Sequence, residues 1–248
     1  MISKTTQTMC AAAMLAAGLA AAPAQAADES LCSAPGITIL QDPTGDVNVE
    51  GLAPASVPVS MFDLVSVQAA LDDSGAEPVM TFTIKAAGAI GAGGVLPPNS
   101  AWFVSFKSAD NKFYGVRMSS GAAVTPTFES YTLGESNGGT TDGRFADVIT
   151  PASGSLDGDT ITIVVPGKDI GITRLGTSLT QFNSGAMTGV GAAGVSVLAV
   201  VLDSAPDDLS RRGSLDLDAC ATADAPKSGV LGKSFGGALG LGLLLPLM

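Results

Sequence analysis

Two groups of aspartates are the residues of this chain best suited to chemistry. The first is Asp42-Pro-Thr-Gly-Asp46, with Asp63 at the start of the next apolar run. The second is Leu202-Asp-Ser-Ala-Pro-Asp-Asp208. A hard cation such as Ca²⁺ takes about six to eight oxygens, supplied by loop carboxylates and backbone carbonyls. Asp42, Asp46, Asp203 and Asp207 are the candidate ligands, and Ca²⁺ is the candidate ion. The two groups are expected to converge if the last strands pair with the first. The same segments also read as turns, where aspartate is favoured for its side-chain bonds to nearby backbone. Asp157-Gly158-Asp159 reads as a hairpin turn. No segment has the spacing of an EF-hand loop.

Other chemistries find less material. Histidine is absent, which removes the commonest general base and the usual partner of a nucleophilic Ser or Cys. Carboxylates abound, yet no pair stands out for glycoside hydrolysis, and no Ser-Lys dyad motif is present. The chain therefore reads as a binding or structural module and not as an enzyme. For a sugar ligand, flat aromatic faces are the usual platform. Trp102 alternates with Val104 and Phe106 and reads as core, whereas Tyr114 and Tyr131 are the candidate surface rings. The net charge of −11 argues against nucleic acid, whose phosphates require a basic face.

The elements that must position these residues are short β-type runs separated by turns. Val79–Lys85 places Met80, Phe82 and Ile84 on one face and Val79, Thr81 and Thr83 on the other, the period of a half-buried strand. Comparable runs are Ile37–Gln41, Leu64–Leu71, Ala101–Lys107, Phe113–Met118, Thr127–Leu133, Thr160–Val165, Val195–Leu202 and Ser214–Asp218. The most apolar, Val195–Leu202, reads as a central strand. One helical turn is expected at Gly167–Gly171. Glycine-rich pieces at Ala86–Gly94, Gly134–Gly143 and Gly185–Gly194 read as long loops. The fold class is all-β: a single antiparallel sandwich, jelly-roll-like, of about nine or ten strands.

The two ends and the cysteines set the compartment. Lys4, an Ala-rich apolar run and Pro23-Ala-Gln-Ala26 have the three parts of a secretory signal, so residues 1–26 are expected to be removed. Residues 27–225 form the sandwich domain, and 226–248 a spacer with an apolar tail. That tail is short against the roughly 20 residues of a spanning helix, and it is the expected site of any membrane contact. Cys32 and Cys220 bracket the domain. In an oxidising compartment a bridge between them is the expected pairing, with two separate thiols as the alternative. The expected location is exported: cell surface, outer membrane or extracellular.

Several of these segments carry a family resemblance. Asp42-Pro-Thr-Gly-Asp46, Asp63-Leu-Val-Ser-Val67, Met80-Thr-Phe-Thr-Ile84, Leu96-Pro-Pro-Asn99, Trp102-Phe-Val-Ser-Phe106 and Asp203-Ser-Ala-Pro-Asp207 resemble the carbohydrate-binding family 9-like and DOMON-like sandwiches. The resemblance implies a jelly-roll-like sandwich, often calcium-stabilised, that binds sugar or haem or displays a surface. Haem-binding members use Met and His as axial ligands, and this chain has no His. The apolar run after Gly236 resembles the GlyGly-CTERM and PEP-CTERM sorting signals of Gram-negative bacteria. Together these imply a surface module whose partner is a glycan, another cell-surface component or a protein.

Overall fold

Alternation of apolar and hydroxyl side chains builds the inner layer. In the computed structural model, Met80, Phe82 and Ile84 are fully buried, while Thr81 and Thr83 are half-exposed on the opposite face. Ile161, Ile163 and Val165 repeat the pattern beside them, with Phe82 directly opposite Ile163. The structure describes residues 30–47, 59–91, 96–121, 125–133, 146–173, 177–190, 198–206 and 213–217.

Twelve strands lie among these residues, rather than nine or ten. They are β1 (Ile37–Gln41), β2 (Leu64–Asp72), β3 (Val79–Ala86), β4 (Ser100–Lys107), β5 (Phe113–Ser120), β6 (Pro126–Leu133), β7 (Ala146–Pro151), β8 (Ser153–Asp157), β9 (Thr160–Pro166), β10 (Ser178–Val190), β11 (Leu198–Ala205) and β12 (Leu215–Asp216). One antiparallel sheet has the order β1-β2-β3-β9-β8. The other has the order β11-β10-β4-β5-β6-β7, with β12 also on β10. The chain runs a meander in the first sheet and a longer one in the second. It then crosses back at Ala152 to add β8 and β9 beside β3, and returns to add β10 and β11 beside β4.

The sheets face each other across one core, so the architecture is the all-β sandwich expected. Phe82 of the first sheet stacks on Phe106 of the second at 5.6 Å between centroids. Phe106 meets Phe182 of β10 at 5.4 Å. Each such side chain contributes roughly 1.5–3 kcal/mol by leaving water. Trp102 is fully buried, as its alternation requires. It stacks on Phe62 at 5.4 Å and an interplanar angle of 4°, and its indole N–H donates to the Met61 carbonyl at 2.9 Å. A buried indole needs such an acceptor.

Three expectations about elements are corrected. The stretch from Gly185 is not a loop: Gly185–Val190 completes β10, a 13-residue strand lying between β4 and β11. Residues 191–194 of that stretch lie outside the described residues. β11 is not central: among the described residues it pairs with β10 alone, and its Val201 is 39% exposed. Apolarity alone does not report a place in the middle of the sheet. Strands β7 and β8 are additional, and their residues are mostly exposed.

The expected helical turn is present as a 3-10 turn, Gly167–Ile170, closed by Gly171 in the left-handed region at φ 76°. The Asp157–Asp159 hairpin is also present, joining β8 to β9, with Gly158 at φ 60°. That is the first loop position, where the tight hairpin turns demand positive φ. Cys32 is half-buried against the core. Cys220, its expected partner, lies outside the described residues, as do the expected signal segment and the C-terminal tail. Among the described residues no helix is long and apolar enough to cross a membrane.

Candidate metal centre

The loop leaving β1 supplies half of the acidic site. Asp42 follows the last residue of β1, and its N–H donates to the Val65 carbonyl of β2 at 3.0 Å. The chain then turns through Pro43, Thr44 and Gly45. Gly45 sits at φ 93°, a conformation open to glycine at little cost, and the turn brings Asp46 back beside Asp42. Asp203 comes from the other sheet, inside β11 and not from a loop as its sequence setting implied. Its Oδ2 accepts the Leu64 N–H at 2.5 Å and its Oδ1 accepts the Ser204 N–H at 2.8 Å.

One carboxylate oxygen from each of Asp42, Asp46 and Asp203 lies within 4.8 Å of the others. Asp42 and Asp203 are buried and Asp46 is exposed. The predicted convergence is therefore present, but its cause differs from the one expected. β1 and β11 do not pair; they belong to opposite sheets, and sandwich packing brings the carboxylates together. Asp207, the fourth predicted ligand, lies outside the described residues.

Asp63 is the residue that sequence reasoning left out of the ligand set. It is 6% exposed. Its Oδ2 accepts the Gly45 N–H at 2.8 Å, so it clamps the turn that carries Asp42 and Asp46. Its Oδ1 is buried without a hydrogen-bond partner. The available signal was its type: an acidic residue opening a strand that is otherwise apolar.

Electrostatics mark the same place. Burial pushes the Asp203 carboxyl up to about 6, with the Asp46 and Asp63 charges adding to the rise and the Leu64 and Ser204 N–H groups opposing it. Crowded, partly dehydrated carboxylates repel one another, and a cation removes that cost. The donors are all hard oxygens, and the buried Asp63 Oδ1 adds an acceptor still available to a ligand. The Asp42, Asp46 and Asp203 cluster can hold a metal ion on these grounds.

The candidate sugar-stacking rings are placed differently from expectation. Tyr114 is 8% exposed and belongs to the core. Its ring packs on Gly171 and its hydroxyl donates to Asp110 at 2.7 Å. Tyr131 is 1% exposed. It lies over Gly115, where an added Cβ would stand 2.2 Å from the ring, with the Arg117 guanidinium 5.6 Å from its centroid. Neither is a surface ring, because a glycine on a neighbouring segment gives each a seat.

A polar groove of about 660 Å³ lies instead on the outer face of the first sheet. Thr38, Gln68 and Thr83 form a row across β1, β2 and β3, with Gln41, Ser66 and Lys85 beside it. Asp42 lines the groove as well as the carboxylate cluster. No protein-family model, curated protein or solved structure matches this chain.

Proposed function

We propose that this chain is an exported, surface-associated binding module, stabilised by Ca²⁺ at Asp42, Asp46 and Asp203, that takes a carbohydrate or cell-wall polymer. The observation that carries this reading is the double placement of Asp42, in the wall of the polar groove and in the carboxylate cluster. A groove lined by the hydroxyls and amides of Thr38, Gln41, Ser66, Gln68 and Thr83, together with the charged Asp42 and Lys85, suits a polyhydroxylated ligand, whose hydroxyls hydrogen-bond to neutral and charged groups alike. Ca²⁺ is the ion of choice because it accepts irregular, all-oxygen sites, whereas Mg²⁺ demands a near-ideal octahedron. The resemblance to carbohydrate-binding family 9-like and DOMON-like sandwiches supports the same class. Export and attachment rest on the two ends of the sequence, with membrane contact confined to the tail. No catalytic step and no nucleic-acid partner enter this reading.

The test is binding of the purified chain to a broad glycan array, with Ca²⁺ and with chelator. Specific binding that disappears on chelation is the expected result. Silence in both conditions sinks the glycan reading. A structural or adhesive surface protein with a protein partner is the second reading. It is favoured by Val148 and Ile149, which stand 56% and 49% exposed on the edge strand β7.

A further inference from the structure

We infer that Asp63 is the fourth anion of the metal site and engages the cation through one of its bound waters. The inference rests on the proposal that the Asp42, Asp46 and Asp203 cluster holds a metal. Asp63 is buried and adds to the charge felt by Asp203. It is not one of the three residues whose oxygens all lie within 4.8 Å of one another. Oxygens bound to one Ca²⁺ sit about 2.3–2.6 Å from it, which confines direct ligands to that tighter set. A carboxylate just outside the set acts through water, and a metal-bound water is a strong donor.

The Oδ1 of Asp63 is the acceptor such a water requires. A buried carboxylate oxygen without a partner is costly and rare, and it calls for a specific cause. The other oxygen is already committed to the Gly45 N–H. The next residue, Leu64, donates its N–H to Asp203. One dipeptide at the start of β2 thus grips both halves of the site: its side chain holds the Asp42–Asp46 turn, and its backbone holds β11. Asp63 is a positioning residue by this grip and a selectivity residue by its charge. A site with four carboxylates favours cations of higher charge.

The test is calorimetric titration of the full chain with Ca²⁺ alone and with Tb³⁺ alone, comparing wild type with Asp63→Asn. The amide retains an oxygen for the Gly45 N–H but turns an N–H₂ toward the water and removes one charge. Ca²⁺ affinity is expected to fall about 10–100-fold, the usual cost of losing an outer partner of a metal ligand. Tb³⁺ affinity is expected to fall by more, because the lost attraction scales with cation charge. Unchanged Ca²⁺ affinity overturns the inference. Equal losses for both ions, with a lower melting temperature in chelator, also overturn it and leave only a structural role. Tb³⁺ luminescence lifetimes in H₂O and D₂O, measured on the wild type, count bound waters without any variant. At least one water is expected, and none overturns the inference. Wild-type protein that binds neither ion removes the metal site itself, a failure distinct from that of Asp63.

Discussion

Asp203 and Leu64 stand 139 positions apart in sequence, yet the Asp203 carboxylate accepts the Leu64 backbone N–H at 2.5 Å. This contact joins β11 of one sheet to the start of β2 in the other. It is also the point where the acidic site is assembled, so the site and the closure of the sandwich are one feature.

Cation binding should therefore appear as stability. A ligand that binds only the folded state stabilises by about 2.7 kcal/mol at a hundred times its Kd. For a domain of this size that raises Tm by roughly 5–10 °C. The full chain is expected to melt higher in excess Ca²⁺ than in chelator, and the shift should vanish in Asp42→Asn and Asp203→Asn. Identical melting curves for wild type in the two conditions would refute calcium at this site.

Trp102 tests the core beneath the site. Trp102→Phe keeps an aromatic ring against Phe62 but removes the donor to Met61 O. The orphaned carbonyl and the smaller volume together should cost about 1–3 kcal/mol. Urea unfolding should show a lower midpoint with an unchanged slope. A variant as stable as wild type would mean that the hydrogen bond contributes nothing.

Tyr114 sets an alkaline limit. Burial, reinforced by the hydrogen bond to Asp110 and its charge, pushes its hydroxyl from 10.0 up to about 12. The folded state then holds this proton more tightly than the unfolded chain does. The corresponding stability is complete below pH 10 and is lost as pH rises toward 12. Tm should fall across this window in wild type and fall less steeply in Tyr114→Phe. Parallel curves would show that another group governs the alkaline limit.

Gly115 is required by its neighbour and not by its own backbone. A methyl group there would stand 2.2 Å from the Tyr131 ring. Gly115→Ala should displace the ring and destabilise by about 1–3 kcal/mol, the usual cost of overpacking. Gly115→Ala in a Tyr131→Ala background should be much milder, and denaturation of the double-mutant cycle measures that coupling. Additive losses would rule out the ring contact as the cause.

Most strands were legible because their faces differ. β1 to β6 and β9 begin and end within about two residues of the runs read from the sequence, most of them because one face meets the core and the other meets water, while β4 is buried on both faces. β10 was hidden for a specific reason. Leu179 and Phe182 both face the core, a spacing of three that no alternating strand allows. The register slips between Thr180 and Asn183, with Gln181 at φ 55°, so a bulge resets the period. Beyond it, Gly185 accommodates the Phe103 ring, which made a packed strand look like a glycine-rich loop. β7 and β8 lack a buried face to betray them.

The sequence by itself determined the all-β class and the bounds of most strands. It also determined the burial of Trp102 and the hairpin at Gly158, because these depend on local alternation and turn chemistry. It named Asp42, Asp46 and Asp203 by residue type. Only the tertiary structure decided that they meet, that they do so across two sheets, and that Asp63 stands behind them. It also decided that Tyr114 and Tyr131 are buried. Those outcomes depend on which distant segments pack together, and alternation along a strand carries no information about its partner in the opposite sheet.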